Sequence, residues 1–374
     1  MKILHTVGGF SIAGGGGITT CTFHLLNALC SQPGIKASLL TPIRPGEDVA
    51  GLGLPWLRTV PNDYRTPLAL SRNLREALEE AVREYDVFHT NGLWMHVNHL
   101  TASIARKAGK PYVISPHGML FPEAIRRNYW KKWPMIKAWF NRDIRHASAI
   151  HVTSSQEADA VRTFGYKGHI EIIPNPVDLP AFTEEIFNER LNAERPNSIG
   201  FLGRVHPRKG VDLLIRGLAQ SIQTTSNAPE LLIIGSGETA YMESLRQLAG
   251  DLGVADRVTF AGFVDGRKKF ELLASLSALF VPSDFENFGM IVPEALSVGT
   301  PVMASLRTPW ESLTKWECGW WTDRTPDAIA DVIAKVGALT PEKRTQMARN
   351  GRTLAQSFTP DAIAPQMAAL YSSL

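Results

Sequence analysis

Two glutamates eight positions apart carry the first chemical signal, in Ser283-Asp-Phe-Glu286-Asn-Phe-Gly-Met-Ile-Val-Pro-Glu294-Ala. The run Ala278-Leu-Phe-Val-Pro282 before them is short, apolar and closed by Pro-Ser, the pattern of a buried parallel strand. From Gly289 onward the pattern is that of the following helix. Glu286 is therefore expected in the loop at the strand's carboxyl end, and Glu294 one to two turns inside the helix. Ligands of open α/β sheets bind at that end. Two acidic acceptors beside the free N–H groups of a helix start suit a ligand with many hydroxyls and one negative end, such as a nucleotide sugar. The same spacing also arises, without chemistry, from a solvated loop acid and a helix-surface acid.

A second motif adds cations. Ile199-Gly-Phe-Leu-Gly203-Arg204-Val-His-Pro-Arg208-Lys209-Gly210 reads as a strand, a glycine turn and three basic residues opening a helix at Val211. Arg offers a planar fork for phosphate oxygens and Lys a mobile point charge, so Arg204 and Lys209 form a candidate diphosphate clamp. A surface basic turn is the alternative. In this order the two motifs resemble G-R-x…K-G and E-x7-E of the retaining GT-B glycosyltransferases often called family 4.

The resemblance extends over most of the chain. The strand Lys2-Ile-Leu-His-Thr-Val7 leads through Gly14-Gly15-Gly16-Gly17 into the helix Ile18 to Leu29, where glycines let backbone amides approach a phosphate or sugar. Ser115-Pro-His117-Gly118-Met119 follows the strand Pro111 to Ile114 and matches the family's H-G turn. Ile172-Ile-Pro-Asn175-Pro176-Val-Asp178 resembles its I-P-N-G-V-D segment, with Pro176 in place of glycine, and Ile234-Gly235-Ser-Gly237-Glu238 is a further glycine turn. One departure is clear. Where members often carry Gly-Gly, this chain has Arg307-Thr-Pro309-Trp310-Glu311 and then Cys318-Gly-Trp-Trp321, a variant similar to members that assemble polysaccharide or lipopolysaccharide.

The resemblance implies two Rossmann-like domains whose parallel sheets face across a cleft: an acceptor-binding domain over 1–177, a nucleotide-sugar domain over 178–357, and a helix over 358–374 crossing back to the first. It implies retaining, metal-independent hexosyl transfer from a UDP- or GDP-sugar to a saccharide. Glu286 is then expected to hold sugar hydroxyls, Glu294 the ribose, Arg204 and Lys209 the diphosphate, and His117 the sugar or the acceptor side. Gly15, Gly16, Gly17, Gly235, Phe263, Val264, Phe288, Gly289, Met290 and Ile291 complete the expected donor contacts, with Asn91 on the acceptor side. No D-x-D occurs in the sequence, in keeping with a site that needs neither metal nor other cofactor.

With 374 residues the chain suits two α/β domains, and 44% hydrophobic with 20% charged residues describes a packed globule rather than a disordered chain. No apolar run reaches the ~20 residues that span a bilayer. The start Met1-Lys-Ile-Leu-His lacks a signal-peptide core, so a cytoplasmic protein is expected, peripheral at most to the inner membrane face. Cys21, Cys30 and Cys318 have no metal or disulfide spacing and read as reduced thiols.

Charge is uneven. Residues 1–175 carry 20 Lys and Arg against 13 Asp and Glu, a net +7, whereas the remainder is net −4. Seven of those cations lie between Arg126 and Arg145, interleaved with Tyr129, Trp130, Trp133, Trp139 and Phe140. Pro134 is expected in the first turn of a helix running to about His146, with Trp133, Ile136, Lys137 and Phe140 on one side. Such a helix either rests on anionic headgroups, near a lipid-linked acceptor, or buries its aromatics and lines the acceptor cleft with its cations. No nucleic-acid motif accompanies it. His96 and His99 stand three apart, a spacing that could bind metal on a helix, but no nearby carboxylate or Cys completes a site, and they read as ordinary helix residues or cleft lining.

Strands are expected at 2–7, 37–41, 86–90, 111–115, 149–153, 170–173, 198–203, 230–235, 257–261, 278–282 and 301–304, alternating with helices, and 181–197 reads as a polar connector. Two other classes share part of the pattern. A nicotinamide-dependent oxidoreductase would carry an acid at the end of the second strand, where this chain has Pro-Ile-Arg44. A non-catalytic two-domain sugar-binding protein would not need the Arg/Lys clamp.

Overall fold

The computed structural model describes residues 1–10, 16–43, 53–62, 72–127, 129–193, 197–224 and 228–374. They form two compact α/β units, Met1–Pro176 with Pro360–Leu374, and Val177–Thr359.

The first unit is built on a seven-stranded parallel sheet in the order β3-β2-β1-β4-β5-β6-β7. Its strands are β1 (Lys2–Val7), β2 (Lys36–Ile43), β3 (Leu57–Pro61), β4 (Val87–Asn91), β5 (Tyr112–Ser115), β6 (Ala149–Val152) and β7 (His169–Ile172). The second has six strands in the order β10-β9-β8-β11-β12-β13. These are β8 (Ser198–Leu202), β9 (Glu230–Ile234), β10 (Val258–Gly262), β11 (Ala278–Val281), β12 (Val302–Ser305) and β13 (Gly319–Thr322). The central strands β4, β5, β6, β11 and β12 are buried at every residue, as apolar strands covered on both faces must be. Both sheets reverse strand order once, between β1 and β4 and between β8 and β11, and loops at the carboxyl ends of such a pair form the ligand crevice of this architecture.

Two strands were not legible in sequence, β3 and β13, and both are sheet edges. Each pairs on one side only, so neither needs a continuous apolar run. The expected connector at 181–197 is corrected. Phe182–Asn192 is a helix whose residues Thr183, Ile186, Phe187 and Arg190 are buried, while Glu184, Glu185 and Glu189 face out. The buried guanidinium of Arg190 donates to the carbonyls of Gly299 (3.1 Å), Leu276 (2.8 Å) and Ala274, which is what permits a charge there. The terminal helix Pro360–Ser372 belongs to the first unit, where it packs on the helix Gly17–Cys30 and buries Ile363, Ala364, Met367, Leu370 and Tyr371.

The basic aromatic segment also differs from expectation. It is helical from Tyr129 to Arg145, so Pro134 lies inside it, followed by a π-helical turn at Ile136–Phe140. Pro134 supplies no N–H to the preceding turn, and a π-turn is a common accommodation of such a break. Phe140 is 2% exposed and packs on Trp94, whereas Trp130 is 73% exposed. Phe140 is therefore core and does not share an outward side with Trp133 and Lys137, which are exposed and stack cation on ring at 5.2 Å.

Candidate functional site

In the second unit the loops after β8 and β11 are fastened to one another. After β8, Gly203 (φ +142°) turns the chain, Arg204 is exposed, and Pro207–Lys209 form a 3-10 turn ended by Gly210 (φ +71°). A Cβ on Gly210 would stand 2.3 Å from the Pro282 carbonyl oxygen, so only glycine lets the two loops approach. Asp284 N–H donates to the Arg208 carbonyl at 2.7 Å, and the Arg208 guanidinium lies over the Phe285 ring at 5.2 Å. Arg324, just past β13, donates to the Pro282 carbonyl at 3.1 Å and to Asp284 Oδ1 at 2.7 Å.

This framework brings Lys209 and Glu286 together. Lys209 Nζ is ion-paired with Glu286 Oε1, which also accepts from Ser283 Oγ at 2.8 Å. Glu286 Oε2 keeps open valence, and Arg204 has no hydrogen bond or ion pair among the described residues. Glu294 lies in the first turn of the short helix Ile291–Ser297, nearer the helix start than expected, and pairs with Lys269 at 2.9 Å. Burial raises the Glu294 carboxyl above its usual range, against the pull of Lys269. Lys269 went unseen in the sequence because Arg267-Lys-Lys269 reads as an ordinary solvated helix face.

The loop between the glutamates is braced from beneath. Trp310, 1% exposed, donates from Nε1 to the Phe288 carbonyl at 2.5 Å, and its ring packs with Phe288 and Phe358. Phe288 is thus core, and only its backbone remains for a ligand. Met290 and Ile291 are partly buried against the same cluster. Phe263 is exposed and Val264 half-buried at the carboxyl end of β10. Gly235 has a reason inside the protein: its φ is +141° and a Cβ would lie 1.9 Å from the Gly203 carbonyl oxygen.

In the first unit, Gly16 and Gly17 start the helix Gly17–Cys30, and a Cβ on either would meet open space, so neighbouring protein atoms do not demand glycine there. Gly14 and Gly15 lie outside the described residues. His117 (φ +50°) and Gly118 (φ +79°) form a left-handed turn closed by Met119 N–H to the Pro116 carbonyl. A non-glycine residue held there costs about 1–3 kcal/mol, strain that concentrates at ligand sites. The turn is held by Glu157, 1% exposed, whose Oε1 accepts from Gly118 N–H at 2.5 Å and whose Oε2 accepts from Thr153 N–H at 2.9 Å. His117 Nε2 lies 3.3 Å from Asn91 Oδ1. Burial, with a smaller push from His151, lowers the His117 imidazole to about 3, so the ring is neutral at physiological pH. Asn91 is 5% exposed at the end of β4, and its neighbour His89 is buried inside a polar network rather than facing outward.

His99 has a carboxylate partner after all. Its Nδ1 lies 2.6 Å from Asp143 Oδ2, while Arg106 holds Oδ1 at 2.9 Å and Trp139 stacks on the imidazole. No group of three or more metal-ligating side chains occurs among the described residues.

Comparison with known proteins divides the chain in the same two parts. Residues 15–180 match the model for "Glycosyltransferase Family 4" and residues 182–354 the model for "Glycosyl transferases group 1". A GDP-mannose-dependent alpha-(1-6)-phosphatidylinositol monomannoside mannosyltransferase of Mycobacterium tuberculosis is 32% identical over 255 residues, 63% of this chain and 63% of that protein. A D-inositol 3-phosphate glycosyltransferase of Jonesia denitrificans is 30% identical over 247 residues, 61% of this chain and 57% of its own length. The matched stretch thus spans less than two thirds of either relative. Among solved structures, Anabaena HepE in complex with UDP and glucose superposes with a TM-score of 0.75 at 22% identity, each chain fully covered. WaaG, a glycosyltransferase involved in lipopolysaccharide biosynthesis, gives 0.67 at 15% identity, with 99% of each chain covered. At these identities the structures establish the fold, two α/β domains of the GT-B type.

Proposed function

Because the chain belongs to the glycosyl transferases group 1, with a family 4 amino-terminal domain, we propose that it transfers a hexosyl unit from a UDP- or GDP-sugar to a saccharide with retained anomeric configuration. The observation that carries this reading is the pairing of Lys209 with Glu286 where the loops after β8 and β11 meet at the strand-order reversal, with Arg204 on the first of these loops and Glu294 on the helix that follows the second. Negative charge grows on the diphosphate as the glycosidic bond breaks, and Arg204 with Lys209 stabilises it electrostatically. Glu286 holds sugar hydroxyls through its open oxygen, and Glu294 holds the ribose. His117 is assigned to the sugar or acceptor side. Gly16 and Gly17 leave backbone room for the donor, and Phe263 with Val264 is assigned to the base.

A thermal-shift panel of UDP, GDP, their sugars and NAD should show one nucleoside diphosphate family raising Tm, because a ligand at a hundred times its Kd adds about 2.7 kcal/mol to the native state. Release of that nucleotide from its labelled sugar then separates a transferase from a non-catalytic binder. Stabilisation by NAD alone would instead favour an oxidoreductase.

The acceptor is assigned to the lipid-linked class, at the inner face of the cytoplasmic membrane. Supporting this are the net +7 of residues 1–175 and the exposed Tyr129, Trp130, Trp133 and Trp139 among basic residues. No helix among the described residues is long and apolar enough to cross a membrane. Lys132 is unsuited to headgroups, since its ammonium donates to the Ala124 carbonyl and sits over Trp94. Arg126, Arg127 and Lys137 are exposed. At roughly 1 kcal/mol per cation, replacing these three with Gln should weaken sedimentation with phosphatidylserine vesicles about a hundredfold at low salt, and Trp130→Ala should remove a salt-insensitive part. A wild-type protein that ignores such vesicles would leave the cations to line the acceptor site.

A further inference from the structure

The first unit contains a buried hydrogen-bond chain that ends on Asn91 and His117 and whose other members the proposed chemistry does not use. His151 Nε2 lies 2.8 Å from the Ile173 carbonyl oxygen, and His151 Nδ1 lies 2.6 Å from Ser115 Oγ. Ser115 Oγ meets His89 Nε2 at 2.6 Å, and His89 Nδ1 meets Tyr371 Oη at 2.6 Å. Tyr371 Oη meets His5 Nε2 at 3.0 Å, and His5 Nδ1 lies 3.4 Å from Asn91 Nδ2. Asn91 Nδ2 is also 3.3 Å from the Thr6 carbonyl oxygen, and Asn91 Oδ1 faces His117 Nε2. Every member except His117 is buried.

Direction follows from the two ends. The Ile173 carbonyl can only accept, so a neutral His151 must carry its proton on Nε2 and accept at Nδ1 from the Ser115 hydroxyl. Ser115 then accepts from His89 Nε2–H, and Tyr371 O–H donates to His89 Nδ1. His5 Nε2–H in turn donates to Tyr371, which leaves His5 Nδ1 to accept from the Asn91 amide. The other end gives the same answer independently. The Thr6 carbonyl requires the Asn91 amino group, which turns Oδ1 toward His117 and makes His117 Nε2 the donor. Burial lowers His5 to about 3, His151 to about 4 and His89 well below its ordinary value, so the chain stays uncharged near neutral pH.

We propose that this chain is a relay directed from a carbonyl at each end, that it locks His117 as the Nε2–H tautomer through Asn91, the positioning residue for that ring, and that it holds His5, His89 and His151 in the same form. The His117 Nδ1 is then a neutral acceptor with no partner among the described residues, and it is not among the enclosed unpartnered atoms. It takes a hydrogen bond from a hydroxyl-bearing ligand and cannot serve as a cationic clamp on phosphate. This rests on the assignment of His117 to the ligand site, but the tautomer itself does not depend on any activity.

The test is two-bond proton–nitrogen correlation NMR of the full chain with 15N-labelled histidine, which reports the protonated ring nitrogen directly. In the wild type, His5, His89, His117 and His151 should all be Nε2–H and unchanged from pH 8 to pH 6. A Nδ1–H form or an imidazolium at any of the four overturns the relay. Asn91→Ala removes the tie to the Thr6 carbonyl, so His117 should become a mixture of tautomers while His5, His89 and His151, still directed from the Ile173 end, stay Nε2–H; an unchanged His117 would refute the role of Asn91. Should that variant fold poorly, Tyr371→Phe splits the chain but leaves each half its own carbonyl anchor, so all four rings should stay Nε2–H, and a change at His5 or His89 would refute direction set from two ends. If the tautomers are as stated but no nucleotide sugar is consumed, the transferase reading fails and the relay stands.

Discussion

Arg204→Ala should lower kcat by roughly 30- to 1000-fold, which corresponds to about 2 to 4 kcal/mol of lost stabilisation of developing charge. Arg204 is the cleaner of the two clamp positions. Its side chain is exposed and has no partner among the described residues, so its loss should leave Tm within about a degree or two of wild type. Lys209→Ala should cost a comparable factor, but it also strips Glu286 of its ion partner, and its effect mixes the two. Kinetics against the donor decide the matter: a fall in kcat with little change in KM marks an interaction made in the transition state, whereas a raised KM alone marks uniform binding. Activity should persist in EDTA. Loss of turnover in chelator, restored by magnesium or manganese, would contradict a clamp made of side chains alone.

Glu286→Gln and Glu294→Gln should both impair transfer, through different steps. Glu286 is tied to Lys209 and Ser283, so the amide misplaces the sugar and loosens the clamp together, and kcat should fall about a hundredfold. Glu294→Gln should mainly raise the donor KM, about tenfold or more, since hydrogen bonds to a charged acceptor are worth about 1.5–3 kcal/mol. It also leaves Lys269 without its partner. Lys269→Met reports the ion pair itself, because it keeps the Glu294 side chain but removes the pull that opposes burial and so favours the protonated acid. Wild-type kinetics in both glutamate variants would remove these residues from the site.

Much of this architecture is legible in the amino-acid sequence. Short apolar runs ended by Gly, Pro or Ser announced the interior strands, because a strand covered on both faces must be apolar throughout. The loops carrying Arg204, Lys209, Glu286 and His117 followed from those strands, since each motif sits at a carboxyl end. Edge strand β3 was not legible because a strand paired on one side tolerates Arg58, and β13 was not because it opens on Gly319, where a Cβ would stand 2.1 Å from the Val302 carbonyl oxygen of the neighbouring strand. The helix Phe182–Asn192 hid for a related reason. Its buried Arg190 looks like a solvent residue until three carbonyls from distant segments surround it.

The amino-acid sequence alone determined which residue types stand at the ends of which strands, since strand and helix periods are local properties of the chain. What it left open were the partners. Lys209 with Glu286, Lys269 with Glu294, His99 with Asp143, Trp310 beneath Phe288 and Tyr371 beside His5 and His89 are separated by 22 to 366 positions. No local pattern encodes such a pairing. It arises when strand order places two loops side by side, and hydrogen-bond direction then follows from which carbonyls end the chain.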